Sequence, residues 1–309
     1  MSKKILVATE KPFAKSAVEG IKKVFDEANF ETILLESYTN VDQLKDAIKD
    51  VDAVIVRSDK LTADIIDSAK NLKIAVRAGA GYDNIDLDAA TKRKIVVMNT
   101  PGQNSNAVAE LAFGLMLYIA RRGYTGKDGT ELRGKTIGIH AYGYVGKYVA
   151  KIAKGFGMKI IAFDPFVDKK VMQEDGVEPV DSVEQLYKES DYLSIHLPLL
   201  PQTEKSINYK LLSLLKKGAT IVNTARAEVI DETDLMKIME ERADLYYCAD
   251  VAPANRKDFE DKFGLRVFFT AKKMGAQTVE ANNNAGIASA KQIVNFFTKN
   301  DTTFQVNKF

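Results

Sequence analysis

The chain has 309 residues, 46% hydrophobic, 28% charged and 9% aromatic, which predicts two folded domains of about 150 residues each and argues against disorder. Lys plus Arg number 44 and Asp plus Glu 42, so no global charge favours nucleic acid. One cysteine, Cys248, and two histidines, His140 and His196, exclude an internal disulfide, a thiolate metal cluster and a three-histidine metal site, and no metal is expected.

The opening residues MSKKILVATEKPF hold an apolar run too short for a signal peptide. The longest apolar stretch, Leu111 to Ala120, is about half of the roughly twenty residues that span a bilayer. A cytoplasmic protein without a membrane partner is expected. Strand-like β-branched runs then alternate with helical stretches. KILVA (4–8) is followed by a helix over 12–28, TILLE (32–36) by VDQLKDAIKD (41–50), and AVIVR (53–57) by LTADIIDSAK (61–70). KIAVR (73–77), a helix over 86–93 and IVVMN (95–99) complete the series. The pattern restarts with strands at TIGIHA (136–141), KIIAF (159–163), YLSIH (192–196), TIVNT (220–224) and LYYCA (245–249). Continuous apolar strands between helices predict α/β architecture, with two doubly wound parallel sheets covered on both faces. The segment NSNAVAELAFGLMLYIARR (104–122) is helical and apolar nearly all round, which fits a helix buried inside one domain or, the favoured expectation, one buried partly by a second subunit.

The most informative stretch is GKTIGIHAYGYVGKYVAKIAKGFGMKIIAFDP (134–165). It matches the strand, glycine turn, helix and second strand of a dinucleotide fingerprint, with Ala141, Gly143 and Gly146 in the three glycine positions. Tyr144 and Val145 open the helix, whose N-terminal N–H groups suit a pyrophosphate. Asp164 lies 18 residues beyond Gly146, where a carboxylate accepts from ribose hydroxyls and repels a 2′-phosphate. NAD is therefore the expected cofactor. His140, inside the first strand of this unit, reads as a packed core residue.

These segments, with VRS (56–58), RAGAGYDNID (77–86), NTPGQNSNAVAEL (99–111), SIHLPLLPQT (194–203), IVNTAR (221–226), ADV (249–251) and GAQTVEAN (275–282), resemble the D-2-hydroxyacid dehydrogenases, and within them the D-3-phosphoglycerate dehydrogenases. The resemblance implies a discontinuous substrate domain over 1–98 and 285–309, an inserted Rossmann NAD-binding domain over 99–284, and a homodimer formed through the 104–122 helix. It implies Arg226 as the catalytic arginine that grips the carboxylate. It implies a substrate site at Arg57, Ser58, Ala80, Gly81 and Asn104, with Arg57 near the phosphate. Lys127, in the arm-like segment 123–133, is a candidate for a second cation contributed across a dimer. It also implies cofactor contacts from His196, Leu197, Pro198, Thr203, Thr224, Ala225, Asp250, Gly275 and Ala276.

One departure matters. Most of the family carries a histidine before the glycine turn, paired with a glutamate. Here FTAKKMGAQT (269–278) has Lys273 at the histidine's place, and the glutamate's place falls at or near Asn255. An imidazole needs a carboxylate to stay charged and oriented, whereas an ammonium does not. The joint absence fits a lysine acid/base, as in a lysine-bearing subgroup that shares this turn and a QVNKF-like end (305–309). To act as a base, Lys273 must shed its proton near working pH, which cationic neighbours and burial favour. Lys272, or a carboxylate at Asp258, Glu260 or Asp261, stays open as a substitute. The resulting expectation is NAD-dependent oxidation of 3-phosphoglycerate to 3-phosphohydroxypyruvate, in serine synthesis. Two alternatives are a hydroxypyruvate- or glyoxylate-type keto acid reductase and a non-catalytic NAD-binding sensor.

Overall fold

The structure is a computed structural model that describes residues 2–309. Two compact units result: one runs to Asn104 and resumes at Gln277–Phe309, and the other is Ser105–Ala276.

The first unit alternates β1 (Lys4–Thr9), α1 (Lys15–Glu27), β2 (Glu31–Glu36), α2 (Val41–Ile48), β3 (Ala53–Val56), α3 (Ala63–Ser68), β4 (Ile74–Arg77), α4 (Leu87–Lys92) and β5 (Val96–Asn99). Its strands are parallel in the order β2-β1-β3-β4-β5. Every residue of β3 and β5 is buried, as a strand with helices on both faces requires. Chain order reverses between β1 and β3, which makes their carboxyl ends the place where ligands of such sheets sit. Helix starts are chemically marked: Asn40 and Gln43 form a reciprocal capping box on α2.

The second unit opens with α5 (Ser105–Ala120) and continues through β6 (Thr136–His140), α6 (Tyr144–Gly155), β7 (Lys159–Phe163), α7 (Lys169–Glu174), β8 (Glu178–Pro179), α8 (Val183–Glu189) and β9 (Tyr192–Ile195). It closes with α9 (Tyr209–Leu212), β10 (Thr220–Asn223), α10 (Glu232–Glu241), β11 (Tyr246–Ala249), α11 (Arg256–Phe263) and β12 (Val267–Phe269). The strand order β12-β11-β10-β9-β6-β7-β8 is the dinucleotide-binding order with one strand added, and its switch point lies between β6 and β9. Ten of the sixteen residues of α5 are buried, and the helix packs on α6, β10 and β11. Its exposed positions Asn106, Glu110 and Gly114 lie four apart along one stripe, so neighbours within the chain already cover most of its apolar surface.

The chain then returns to the first unit with α12 (Val279–Lys299), capped by Thr278, whose hydroxyl accepts from Ala281 N. Helices α1 and α12 approach through two glycines. A Cβ on Gly20 would lie 2.7 Å from Ile287 Cδ1, and one on Gly286 would lie 2.9 Å from Ile21 Cδ1. No helix among the described residues is long and apolar enough to cross a membrane.

Candidate active site

In the second unit, the turn after β6 is built by its own backbone demands. Ala141 has φ +78°, and its N–H donates to Phe163 O at 2.9 Å. Gly146 has no room for a side chain, because a Cβ there would lie 2.6 Å from Ala141 O. Gly143 caps α6 with an ordinary φ of −80° and no side-chain cap, and a Cβ there would meet nothing within 4 Å. The space in front of Gly143 and the uncapped first turn of α6, which starts at Tyr144 and Val145, fit a pyrophosphate. Asp164 accepts from Tyr142 N at 2.8 Å and Phe166 N at 2.9 Å. Its carboxylate thus ties the end of β7 to the turn and keeps lone pairs for ribose hydroxyls. Beside it opens a cavity of about 320 Å³, lined by Asp164, Pro165, Met172, Pro179 and Val180 among others. Lys169 and Asp181, on its rim, are paired with each other.

On the other side of the switch point, His196 N donates to His140 O at 2.9 Å. Ser194 Oγ is 2.9 Å from His196 Nε2, and Tyr187 Oη is 3.2 Å from His140 Nδ1. Desolvation pushes His140 down to about 4 and His196 to about 3, the latter with some help from His140. Both rings are therefore neutral near pH 7, and His140 is a core residue. Leu197 is half-buried and Pro198 exposed. The Thr203 hydroxyl donates to Pro198 O at 2.6 Å and accepts from Leu200 N at 2.8 Å, so it closes the loop.

At the end of β10, Asn223 shapes the next turn by accepting from Ala225 N at 3.0 Å and donating to Arg226 O at 2.9 Å. Arg226 is half-buried, and its Nη1 donates to Ala225 O at 2.9 Å. Thr224 is buried with its hydroxyl unpartnered among the described residues. An orphaned hydroxyl at a strand's carboxyl end fits a polar group of a bound dinucleotide.

The loop bearing Lys272 and Lys273 is held by Asp250, which is 2% exposed. Its carboxylate accepts from Thr270 Oγ1 at 2.9 Å, Met274 N at 2.7 Å and Gly275 N at 2.8 Å. Ala276 follows half-buried, while both lysines are exposed. The residue at the glutamate's place, Asn255, is exposed at the start of α11. Glu260 and Asp261 pair with Arg256 and Lys257 along α11, which engages two of the three carboxylates left open by the sequence. Asp258 is exposed on the same helix.

In the first unit, Arg57 follows β3 at the switch point. Its Nη1 donates to Lys11 O at 3.0 Å and Pro12 O at 2.9 Å, and its Nη2 donates to Asn282 Oδ1. The guanidinium lies 5.1 Å from the centroid of the Phe13 ring. Ser58 beside it is exposed. The loop after β4 is pinned by Asn99 Nδ2 donating to Ala80 O at 2.6 Å and Thr100 N donating to Gly79 O at 2.9 Å. Among the described residues of this unit, the N–H groups of Ala80 and Gly81 donate to nothing, as an anion-binding loop requires. Asn104 is half-buried, and Lys127 is exposed between α5 and β6. No local pattern points to Lys11, Pro12, Phe13 and Asn282 around Arg57, or to Pro179 and Val180 beside Asp164, because each comes to its place through contacts between segments distant in the chain.

The second unit is thus a dinucleotide-binding domain of Rossmann order. A family model described as D-isomer specific 2-hydroxyacid dehydrogenase, NAD binding domain, matches residues 114–278. Over 100% of both chains, with 49% identity and a TM-score of 0.91, the protein is similar to the crystal structure of NAD⁺-bound 3-phosphoglycerate dehydrogenase in Entamoeba histolytica. It is 40% identical over 266 residues to the D-3-phosphoglycerate dehydrogenase of Methanocaldococcus jannaschii, covering 82% of this chain and 51% of that one. It is 41% identical over 272 residues to the hydroxypyruvate reductase of Thermotoga maritima, covering 82% of this chain and 87% of that one. The chain spans about half the length of the Methanocaldococcus relative. The chain belongs to the D-isomer specific 2-hydroxyacid dehydrogenases, and NAD is its cofactor.

Proposed function

We propose that the protein oxidises D-3-phosphoglycerate to 3-phosphohydroxypyruvate, feeding serine synthesis, and works as a homodimer. The observation that carries this reading is Arg57. It stands at the switch point of the first sheet and is fixed by neutral acceptors, as a grip on a phosphate dianion demands. NAD, when bound, supplies the hydride acceptor for C2 of the substrate. Arg226 holds the substrate carboxylate and polarises C2–O, with the N–H groups of Ala80 and Gly81 as further donors. Ser58 and Asn104 add neutral donors around the phosphate. Lys273 takes the hydroxyl proton during oxidation and returns it during reduction. Asp250 sets the height of the lysine loop, and Thr224, Ala225, Gly275 and Ala276 shape the nicotinamide side. Asp164 and the cavity beside it hold the adenosine end.

The likeness to a hydroxypyruvate reductase over 87% of that chain's length supports a second reading, reduction of an unphosphorylated keto acid. Steady-state assays with 3-phosphoglycerate, glycerate, lactate, hydroxypyruvate and glyoxylate separate the two. A kcat/KM at least tenfold higher with the phosphate is expected, and equal values sink the phosphate claim. Lys273→Met should lower kcat about 100-fold or more while NAD binding persists, and Lys272→Met should change it less than about twofold. Full turnover by Lys273→Met removes the lysine mechanism. A wild type that turns over none of these compounds is an NAD-binding sensor instead.

A further inference from the structure

Arg57 is fixed by neutral groups at the switch point of the first sheet. Arg242 and Arg256 pair with Asp244 and Glu260, whereas Arg93 and Arg266, like Arg57, donate to backbone carbonyls, so it is the place of Arg57 and its side-chain partner that set it apart. Among the described residues Arg57 makes no such ion pair. Its partners are two backbone carbonyls, Lys11 O and Pro12 O, one side-chain amide oxygen, Asn282 Oδ1, and the face of Phe13. Every one is neutral. The arrangement fixes the guanidinium without a direct ion pair, although the Asp59 carboxylate, which accepts from Arg57 N at 3.1 Å, favours its charged form from nearby. It uses both Nη groups as donors, and Nε–H donates to none of these partners.

Two of the three acceptors are backbone. Among the described residues Asn282 is the single side-chain hydrogen-bond partner of the guanidinium, and it is itself oriented: its Nδ2 donates to O of Thr278, the residue that caps α12, at 2.7 Å. That second bond assigns the amide's oxygen, rather than its nitrogen, to Arg57. A segment more than 200 positions away in sequence (|i−j| of 225) thus sets the direction of a cation at the switch point.

We infer that Asn282 is a positioning residue for substrate selection, holding Arg57 in the pose that grips the substrate's phosphate without neutralising it. This rests on the phosphate reading proposed above. Asn282 touches no reacting atom on this account and acts only through Arg57. An aspartate at 282 has the same shape and keeps an acceptor, yet it would pair with Arg57 and compete with the phosphate. A purely structural role predicts the reverse, since a charge-assisted bond braces Arg57 at least as well.

The test is a double-mutant cycle in the full-length protein. It reads the ratio of kcat/KM for 3-phosphoglycerate to that for glycerate, with thermal melts and NAD titrations alongside. Asn282→Ala should lower the ratio about tenfold, mostly through KM for the phosphorylated substrate, and Asn282→Asp should lower it further. In an Arg57→Met background neither change should lower the ratio again. Three results overturn the inference: Asn282→Asp equal to wild type, Asn282→Ala without effect on the ratio, or full additivity with Arg57→Met. If Asn282→Ala fails to fold, Asn282→Asp and its Arg57→Met partner decide alone. A wild type indifferent to the phosphate removes the substrate reading itself, and an Arg57→Met variant that keeps the preference removes Arg57 from it. Both are distinct from a failure at Asn282 alone.

Discussion

Asp250 and Gly275 meet more closely than any side chain at 275 would allow. The Asp250 carboxylate accepts Gly275 N–H at 2.8 Å, and a Cβ on that glycine would lie 3.0 Å from the same oxygen and 3.3 Å from Val108 Cγ2. The carboxylate also holds Met274 N and the Thr270 hydroxyl, so it brackets the lysine loop at both ends. Asp250→Ala strips the buried Gly275 N–H and the half-buried Met274 N–H of their acceptor, while the Thr270 hydroxyl keeps Asp250 O and Lys272 O. It should cost about 3 kcal/mol of stability and lower kcat more than it weakens NAD binding. Gly275→Ala should do the same on a smaller scale. Urea unfolding together with kcat measures both, and an Asp250→Ala protein with wild-type kcat would separate this clamp from the chemistry.

The first position of the dinucleotide fingerprint offers a stabilising change. Ala141 sits at φ +78°, in the left-handed region that costs a residue with a Cβ roughly 1–2 kcal/mol. Glycine avoids that cost and returns part of it as extra freedom in the unfolded chain. Ala141→Gly is therefore expected to stabilise the protein by about 0.5–1 kcal/mol, seen as a higher urea midpoint at unchanged m. A lower midpoint would mean that the Ala141 methyl packs better than its backbone suffers.

The interior strands were legible because β3 is a continuous apolar run and β5, β9 and β10 are apolar but for Asn99, Ser194, Thr220 and Asn223, with every position buried. The two edge strands of the second sheet were not. Edge strand β8 is Glu178–Pro179 and β12 is Val267–Phe269, too short for any run to stand out. At the site, Gly143, Gly146 and Asp164 announced themselves by spacing, since the turn, the helix and the second strand are contiguous in the chain. Thr203 illustrates the opposite limit. Its hydroxyl has a role within its own loop that spacing does not announce, donating to Pro198 O and accepting from Leu200 N with one lone pair left over. Asn282 and the unpartnered Thr224 hydroxyl gain their significance from long-range packing, which no local pattern encodes.

The chain end QVNKF has a structural reason of its own. Asn307, 4% exposed, accepts from Val97 N at 2.8 Å and donates to Ile95 O and Thr91 Oγ1 at 3.0 Å each. Val306 N donates to Val97 O at 2.9 Å, and Gln305 bridges to Met98 in antiparallel fashion. The segment thereby covers the open edge of β5. Asn307→Ala leaves a buried N–H and a buried carbonyl unpaired, and a loss of about 2–4 kcal/mol is expected. Equilibrium unfolding measures it. A change below about 0.5 kcal/mol, ordinary for a surface position, would mean that solvent replaces the amide.

The two histidines give the protein a pH dependence with a definite sign. Burial holds His140 at about 4 and His196 at about 3, whereas both titrate near 6.5 in the unfolded chain. Below 6.5 the unfolded state takes up protons that the folded state refuses, so stability is full above 6.5 and falls as pH is lowered. Each group contributes a slope of about 1.4 kcal/mol per pH unit until its folded value is reached. Between pH 7.5 and 5 the loss from His140 alone is about 2 kcal/mol, with His196 acting in the same direction. Over that interval the carboxylates that the fold holds below their usual range, Asp52, Asp181, Asp244 and Asp301, stay ionised in both states and contribute little. Urea midpoints at pH 7.5 and 5 should differ accordingly, and His140→Asn should reduce the difference by about half. Equal midpoints at the two pH values would require the imidazoles to protonate inside the folded protein, against the desolvation of both rings.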